Sequence, residues 1–182
     1  MGVIGKDFKY KLIKNFLTKE EIELLSEFCK IRHRLFSGET LQDFHKLYTT
    51  HFYGDPVMES LLQCKTKFLE KIVGKKLDPT YSFWRLYTWG DELGKHQDRP
   101  SCEISVTVHI DGDSNWPIYM EKEEVVTEIG DAVVYLGQEL THYRKPLKAD
   151  YQTQCFLHYV DKDGPCAQYA LDNRQTFGLE KK

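Results

Sequence analysis

The sequence predicts an α+β domain in which two amphipathic helices from the first half pack on one sheet of a β-sandwich or jelly roll formed by the second half. Three observations carry this. Apolar residues recur at helical spacing between residues 18 and 74, alternation with a period of two sets in from Tyr81, and turn signals then divide the chain into short segments as far as residue 160.

Phe8 to Phe16 is predicted as a short strand. Thr18-Lys19-Glu20-Glu21 then places a hydroxyl three residues before a carboxylate, the pattern of a capping box. It opens a helix through about Arg34, with Ile22, Leu24, Leu25 and Phe28 as its apolar positions. Asp55-Pro56 starts a second helix, the carboxylate as cap and the proline in the first turn. Val57, Leu61, Leu62, Phe68, Leu69 and Ile72 carry it to about Gly74. Between the helices, Phe36 to Gly54 is irregular and holds Tyr48, His51 and Tyr53. Further strands are predicted at Ser82 to Tyr87 and Ile104 to Ile110, then at Val125 to Glu128, Ala132 to Leu136, Thr141 to Arg144 and Gln154 to Val160. The turns between them are Asp111-Gly112-Asp113 and Ile129-Gly130-Asp131, with Asp163-Gly164-Pro165 after the last.

At 182 residues, with 41% hydrophobic residues, the chain is expected to form one domain over 1–182, with the helices at about 18–74 and the strand-rich core at about 81–160. A net charge of −3 gives no electrostatic case for nucleic acid or an anionic membrane as partner. Met1 to Lys9 has no apolar signal core and no apolar run approaches a membrane span, so a cytoplasmic location is expected. The five cysteines are widely spaced without a Cys-x-x-Cys, which predicts reduced thiols rather than a disulfide framework or zinc knuckle.

His96-Gln97-Asp98 and, further on, His142 are the candidate chemistry. A two-residue spacing in an extended segment puts His96 and Asp98 on one face, and a third ligand arrives from another strand. Two imidazoles and one carboxylate fill three positions of an octahedral ion and leave three open, as a non-haem ferrous centre requires to bind a co-substrate and O2 side by side. A closed structural zinc site would need a fourth protein ligand. A second His-x-Asp, His109-Ile110-Asp111, reads as the end of a strand and the start of a turn, whereas His96 and Asp98 follow the glycine-bearing loop Trp89 to Gly94. His142 is preferred to His158 as third ligand because the Gly130 to Leu136 turn and strand return it by a short connection. His45 and His51 carry no such signal.

With these residues in place, Tyr81 to Val160 resembles the Fe(II)- and 2-oxoglutarate-dependent dioxygenases, and among them the prolyl 4-hydroxylase-like branch. The resemblance lies in the order of Tyr87-Thr88-Trp89-Gly90, Leu93 to Asp98, the alternating Ile104 to Asp111, Gly130 to Tyr135, His142 and Cys155 to Val160. It implies a double-stranded β-helix of the cupin-like kind, Fe(II) on His96, Asp98 and His142, 2-oxoglutarate as co-substrate and O2 as oxidant. The implied reaction hydroxylates an unactivated C–H bond, of a prolyl or other residue in a peptide or of a small molecule, and releases succinate and CO2. The sequence departs from the family where an Arg or Lys usually follows the distal histidine: here stands Asp150-Tyr151-Gln152-Thr153-Gln154. The co-substrate is a dianion and a desolvated carboxylate needs a partner, so another cation must face it. Arg144 shares the face of His142 and is the first candidate, Arg85 the second, and the resemblance adds the Tyr87 hydroxyl. A second departure, Asn115 to Tyr119 in place of a Gly-Gly pair, falls on the substrate-facing wall. Two other classes remain open: a cupin-like metalloenzyme holding Zn, Ni or Mn without 2-oxoglutarate, and a catalytically silent jelly-roll binding domain. The segment 36–54 and the tail from Asp161 to Leu179 can be read as lids or as packing.

Overall fold

The computed structural model describes residues 8–38 and 50–179. His45, Tyr48 and most of the irregular stretch before Thr50 lie outside the described residues. Both helix starts follow from local chemistry. Helix α1 (Lys19–Gly38) opens on the reciprocal box, Glu21 N–H donating to Thr18 Oγ1 at 3.2 Å while Thr18 N–H donates to the Glu21 carboxylate at 2.8 Å. It runs one turn past the expected Arg34. Helix α2 (Pro56–Val73) is capped by Asp55, whose carboxylate accepts from Val57 N–H at 3.0 Å, and it ends on Gly74 at φ 73°, where only glycine avoids a Cβ penalty.

The described residues form ten strands: β1 (Tyr10–Ile13), β2 (His51–Tyr53), β3 (Leu77–Thr88), β4 (Leu93–His96), β5 (Ile104–Gly112), β6 (Ile118–Met120), β7 (Glu123–Val125), β8 (Ala132–Leu136), β9 (His142–Arg144) and β10 (Tyr151–Asp161). They form two antiparallel sheets, six-stranded β1-β8-β5-β10-β3-β2 and four-stranded β4-β9-β6-β7, which stay separate rather than closing into a barrel. This is the jelly-roll arrangement the alternation predicted, with both helices on the large sheet.

Strand periodicity sorts the large sheet into two faces. Trp84 and Leu86, then Val106 and Val108, then Leu157 and Tyr159 pack under Leu25, Leu62 and Leu69 of the helices. The opposite face carries Tyr81, Phe83, Arg85 and Tyr87 from β3, paired in register with His158, Phe156, Gln154 and Gln152 of β10. That second face, polar and ring-rich, meets the small sheet.

Several boundaries differ from the sequence reading. The first strand is four residues, not nine, because Asn15 turns at φ 51° and Asp131 holds the turn through Asn15 N–H and the Lys14 ammonium. The strand expected at Val125 to Glu128 lies earlier, at Glu123–Val125, since it forms a hairpin with β6 through Glu121 and Lys122. Glu121 takes φ 56° without being glycine, so the turn left no signal. Strands β2 and β6 are three residues each, too short for alternation to show, and β4 ends at His96 where the sequence suggests that a strand begins. Among the described residues no helix is long and apolar enough to cross a membrane. All five cysteines are free thiols.

Candidate metal centre

Strands β4 and β9 pair so that His96 stands directly opposite His142, with ring centroids 4.2 Å apart. A register shift between Leu93 and His96 bends β4 at this point. Asp98 lies just beyond the strand, so its aim comes from the loop rather than from strand alternation. Asp98 N–H donates to Gly137 O at 2.8 Å, and a Cβ on Gly137 would collide with the Asp98 carboxylate. Held there, Asp98 Oδ1 faces His96 Nε2 at 3.4 Å and His142 Nε2 at 3.5 Å. The donor atoms of the three residues all lie within 4.8 Å of one another.

The imidazole tautomers are fixed from behind. His96 Nδ1 lies 2.8 Å from Gly94 O and His142 Nδ1 lies 2.9 Å from Leu140 O. A carbonyl only accepts, so each Nδ1 carries the proton and each Nε2 presents a lone pair to the shared space in the neutral ring. Burial pushes the Asp98 carboxyl up, but the hydrogen bonds that His142 and His96 donate through Nε2 when their rings are protonated outweigh it and hold it well below the usual carboxylate range. His96 is raised by its bond to Asp98. Three donors of the right chemistry for a divalent ion therefore converge on one point, and the Tyr135 hydroxyl is the next polar atom, 3.4 Å from His142 Nε2.

A cavity of about 270 Å³ opens beside this point, walled by Tyr81, Phe83, Tyr87, Phe156 and His158 with Arg85 among them. The two candidate cations differ in what surrounds them. Arg85 is already paired with Asp91 at 3.2 Å and lies over the Tyr87 ring. Arg144 shares the inward face of β9 with His142, is 1% exposed, and has no carboxylate against it among the described residues. It donates to Trp116 O and, at 3.5 Å, to Thr107 Oγ1, while its Nε is buried without a partner. Burial lowers its pKa to about 10. Arg144 stands behind the cavity wall, beneath Trp116, and Tyr87 meets Trp116 edge-on at 4.9 Å.

The departure at Asp150 to Gln154 acquires a shape here. Gln152 and Gln154 face inward from β10, both fully buried, and the amide nitrogen of each has no partner among the described residues. Thr107 Oγ1 donates to Gln154 Oε1 at 3.1 Å and also accepts from Arg144, while Gln152 Oε1 accepts from Trp116 N–H. One guanidinium Nε and two amide groups are thus unsatisfied donors in one connected cluster beside the histidines. Buried donors without acceptors are uncommon, and a carboxylate satisfies such a set.

The decoys take other work. His109 is buried in β5 with Nδ1 against Thr127 O at 3.1 Å, and Asp111 ties α1 to the sheet through Ser26 at 2.5 Å and Lys30 at 3.0 Å. His51 stacks on Phe83. His158, set aside as third ligand, lies on the cavity wall within reach of Asp98 through Ser105. Ser105 and Gly137 were not singled out, since Ser105 reads as the polar phase of an alternating strand and Gly137 as a turn residue.

No family model matches this chain, and no curated protein does. Solved structures do. A viral collagen prolyl hydroxylase from Paramecium bursaria Chlorella virus-1, in complex with 2-oxoglutarate, superposes with a TM-score of 0.63 at 12% identity, covering 86% of this chain and 97% of that one. A Pseudomonas putida prolyl-4-hydroxylase gives 0.61 at 14% identity, with 84% and 92% covered. The non-haem α-ketoglutarate-dependent carbocyclase SnoK from nogalamycin biosynthesis gives 0.67 at 13%, with 96% and 90% covered. The fold is that of the 2-oxoglutarate- and Fe(II)-dependent oxygenases, and prolyl hydroxylases are among its structural neighbours.

Proposed function

We propose that this chain is an Fe(II)- and 2-oxoglutarate-dependent oxygenase, a single catalytic domain that hydroxylates an unactivated C–H bond. The observation that carries it is the convergence of two tautomer-locked histidines on one oxygen of Asp98, beside a buried arginine with no carboxylate against it among the described residues. His96, Asp98 and His142 would hold the metal, leaving three positions open. Arg144 would grip the distal carboxylate of 2-oxoglutarate, with the amides of Gln152 and Gln154 and the Tyr87 hydroxyl beside it; Arg85, already neutralised by Asp91, is the second choice. Bound there, Fe(II) with 2-oxoglutarate and O2 would supply the oxidising power, one oxygen atom of O2 going to the C–OH product and the other to succinate, with release of CO2. The chain's own part is to orient the ligands, neutralise a dianion and keep water from the reacting carbon.

For the substrate we propose a prolyl or other residue of a peptide. Two neighbours are named for prolyl hydroxylation, and the Tyr81, Phe83 and Phe156 rings give the cavity an apolar wall suited to a prolyl ring. Five free thiols support a reducing, cytoplasmic setting. Incubation with Fe(II), 2-oxoglutarate, O2 and a panel of proline-containing peptides, read as succinate formed and as a mass gain of one oxygen on peptide, tests this. Succinate that depends on His142 without peptide oxidation would move the substrate to a small molecule. No succinate under any condition would remove the oxygenase reading.

A further inference from the structure

Asp98 has two carboxylate oxygens, and only Oδ1 faces the histidines. Oδ2 accepts from Ser105 Oγ at 2.7 Å. Ser105 Oγ is also 2.9 Å from His158 Nδ1 and 3.2 Å from Cys102 O. A serine hydroxyl has one proton, and the carboxylate is both the nearer and the charged acceptor, so the proton lies toward Asp98. Ser105 Oγ must then accept from His158, which fixes the proton of His158 on Nδ1. All three groups are sheltered: Ser105 is fully buried, His158 is 6% exposed and lies tilted against Tyr81 with ring centroids 4.5 Å apart, and the Asp98 side chain is 12% exposed. Gly137 leaves the space in which the Asp98 carboxylate and the Ser105 hydroxyl meet, for a Cβ there would strike both.

We propose that Ser105 and His158 are positioning residues of the metal centre: a relay from His158 Nδ1–H to Ser105 Oγ–H to Asp98 Oδ2 commits one carboxylate oxygen to the protein and leaves Oδ1 alone to bind metal. This rests on the metal-centre reading above. The relay enforces a monodentate carboxylate, which keeps three positions of the ion open; a carboxylate free to turn could chelate with both oxygens and occupy one of them. Asp98, Cys102 and His158 also present donor atoms within 4.8 Å of one another. The Ser105 hydroxyl already binds Asp98 and His158, so these groups are joined by hydrogen bonds rather than reserved for a second ion.

The test is anaerobic calorimetric titration with Co(II), with the visible Co(II) spectrum recorded alongside, on wild type, Ser105→Ala, His158→Phe and His158→Asn. Phenylalanine keeps a ring against Tyr81 and removes the donor, whereas the asparagine amide places an N–H near the position of Nδ1. Ser105→Ala and His158→Phe are expected to bind Co(II) about 10- to 100-fold more weakly with an altered spectrum, and His158→Asn to stay within about threefold of wild type. With Asp98 free to take one of the open positions, affinity for 2-oxoglutarate at saturating metal should also fall in Ser105→Ala and His158→Phe and be restored in His158→Asn, a rescue that a general loosening of the fold would not give. A folded Ser105→Ala with wild-type affinity, a His158→Asn as weak as His158→Phe, or a second equivalent of Co(II) would overturn the relay. If Ser105→Ala does not fold, the two His158 variants decide. Wild-type protein that binds no Co(II), or His142→Ala that binds it unchanged, would instead overturn the metal centre and the relay with it.

Discussion

Arg144 carries a charge that no carboxylate among the described residues neutralises, in a place that water does not reach. Such a residue lowers the stability of the empty protein and is explained by a ligand that supplies the missing charge. Two opposite effects of one substitution follow. Arg144→Met removes an uncompensated buried cation, and thermal melting of the metal-free protein should show a gain of about 1 to 4 kcal/mol. The same variant should bind 2-oxoglutarate at least about 30-fold more weakly, measured at saturating metal, since a buried charged partner is worth about 2 to 5 kcal/mol. Loss of stability together with unchanged 2-oxoglutarate affinity would return the role to Arg85. Part of this was legible in the sequence: the donor atoms of His96, Asp98 and His142 lie within 4.8 Å of one another, and Tyr87 lines the cavity beside them. What was hidden is what Asp98 leans on. Ser105 and His158 are 53 positions apart and meet only because β5 and β10 are neighbours, a pairing that local pattern does not reveal.

Side-chain ties fasten α1 to the large sheet and the tail to α2. Asp111 binds Ser26 and Lys30 of α1, and although burial pushes its carboxyl up, these bonds outweigh it and lower its pKa. A carboxyl depressed in the folded state contributes stability above its unfolded value of about 3.9, and that contribution is lost as pH falls through the lower folded value. Acid titration of unfolding free energy should therefore show wild type falling toward Asp111→Asn below about pH 4, with the two separated by about 1 to 2 kcal/mol at neutral pH. Equal stability at pH 7 would show that the tie contributes nothing. The tail is fastened by a buried pair, Arg174 to Glu59 at 2.5 Å, with side chains 2% and 1% exposed. Arg174→Ala strands Glu59 and should cost about 3 to 5 kcal/mol in denaturant unfolding. The tail's packing role was one of two readings open from sequence, because Arg174 and Glu59 are separated by most of the chain. Helix caps, by contrast, were plain, since Thr18, Glu21, Asp55 and Gly74 act within a few residues of themselves.

Over the whole molecule, helices cover one face of the large sheet, and the other face, with β4 and β9 opposite, frames the metal centre and its cavity. The halves of the site come from separate sheets, the proposed metal ligands around β4 and β9 and the cavity wall largely from β3 and β10. Metal and co-substrate should therefore stabilise the assembled fold and not merely the loops. At about 100 times the dissociation constant, a ligand that binds only the folded state adds about 2.7 kcal/mol, which for a chain of this size is a rise of several degrees in Tm. The most direct measurement is anaerobic titration of the metal-free protein with Fe(II) and then 2-oxoglutarate, following the weak visible charge-transfer band of a chelated co-substrate in wild type, His142→Ala and Arg144→Ala. The expected result is a band in wild type, its loss in His142→Ala, and a much higher 2-oxoglutarate requirement in Arg144→Ala. Wild-type protein that holds Fe(II) yet gives no band with 2-oxoglutarate would contradict the oxygenase and leave a metalloenzyme of another kind.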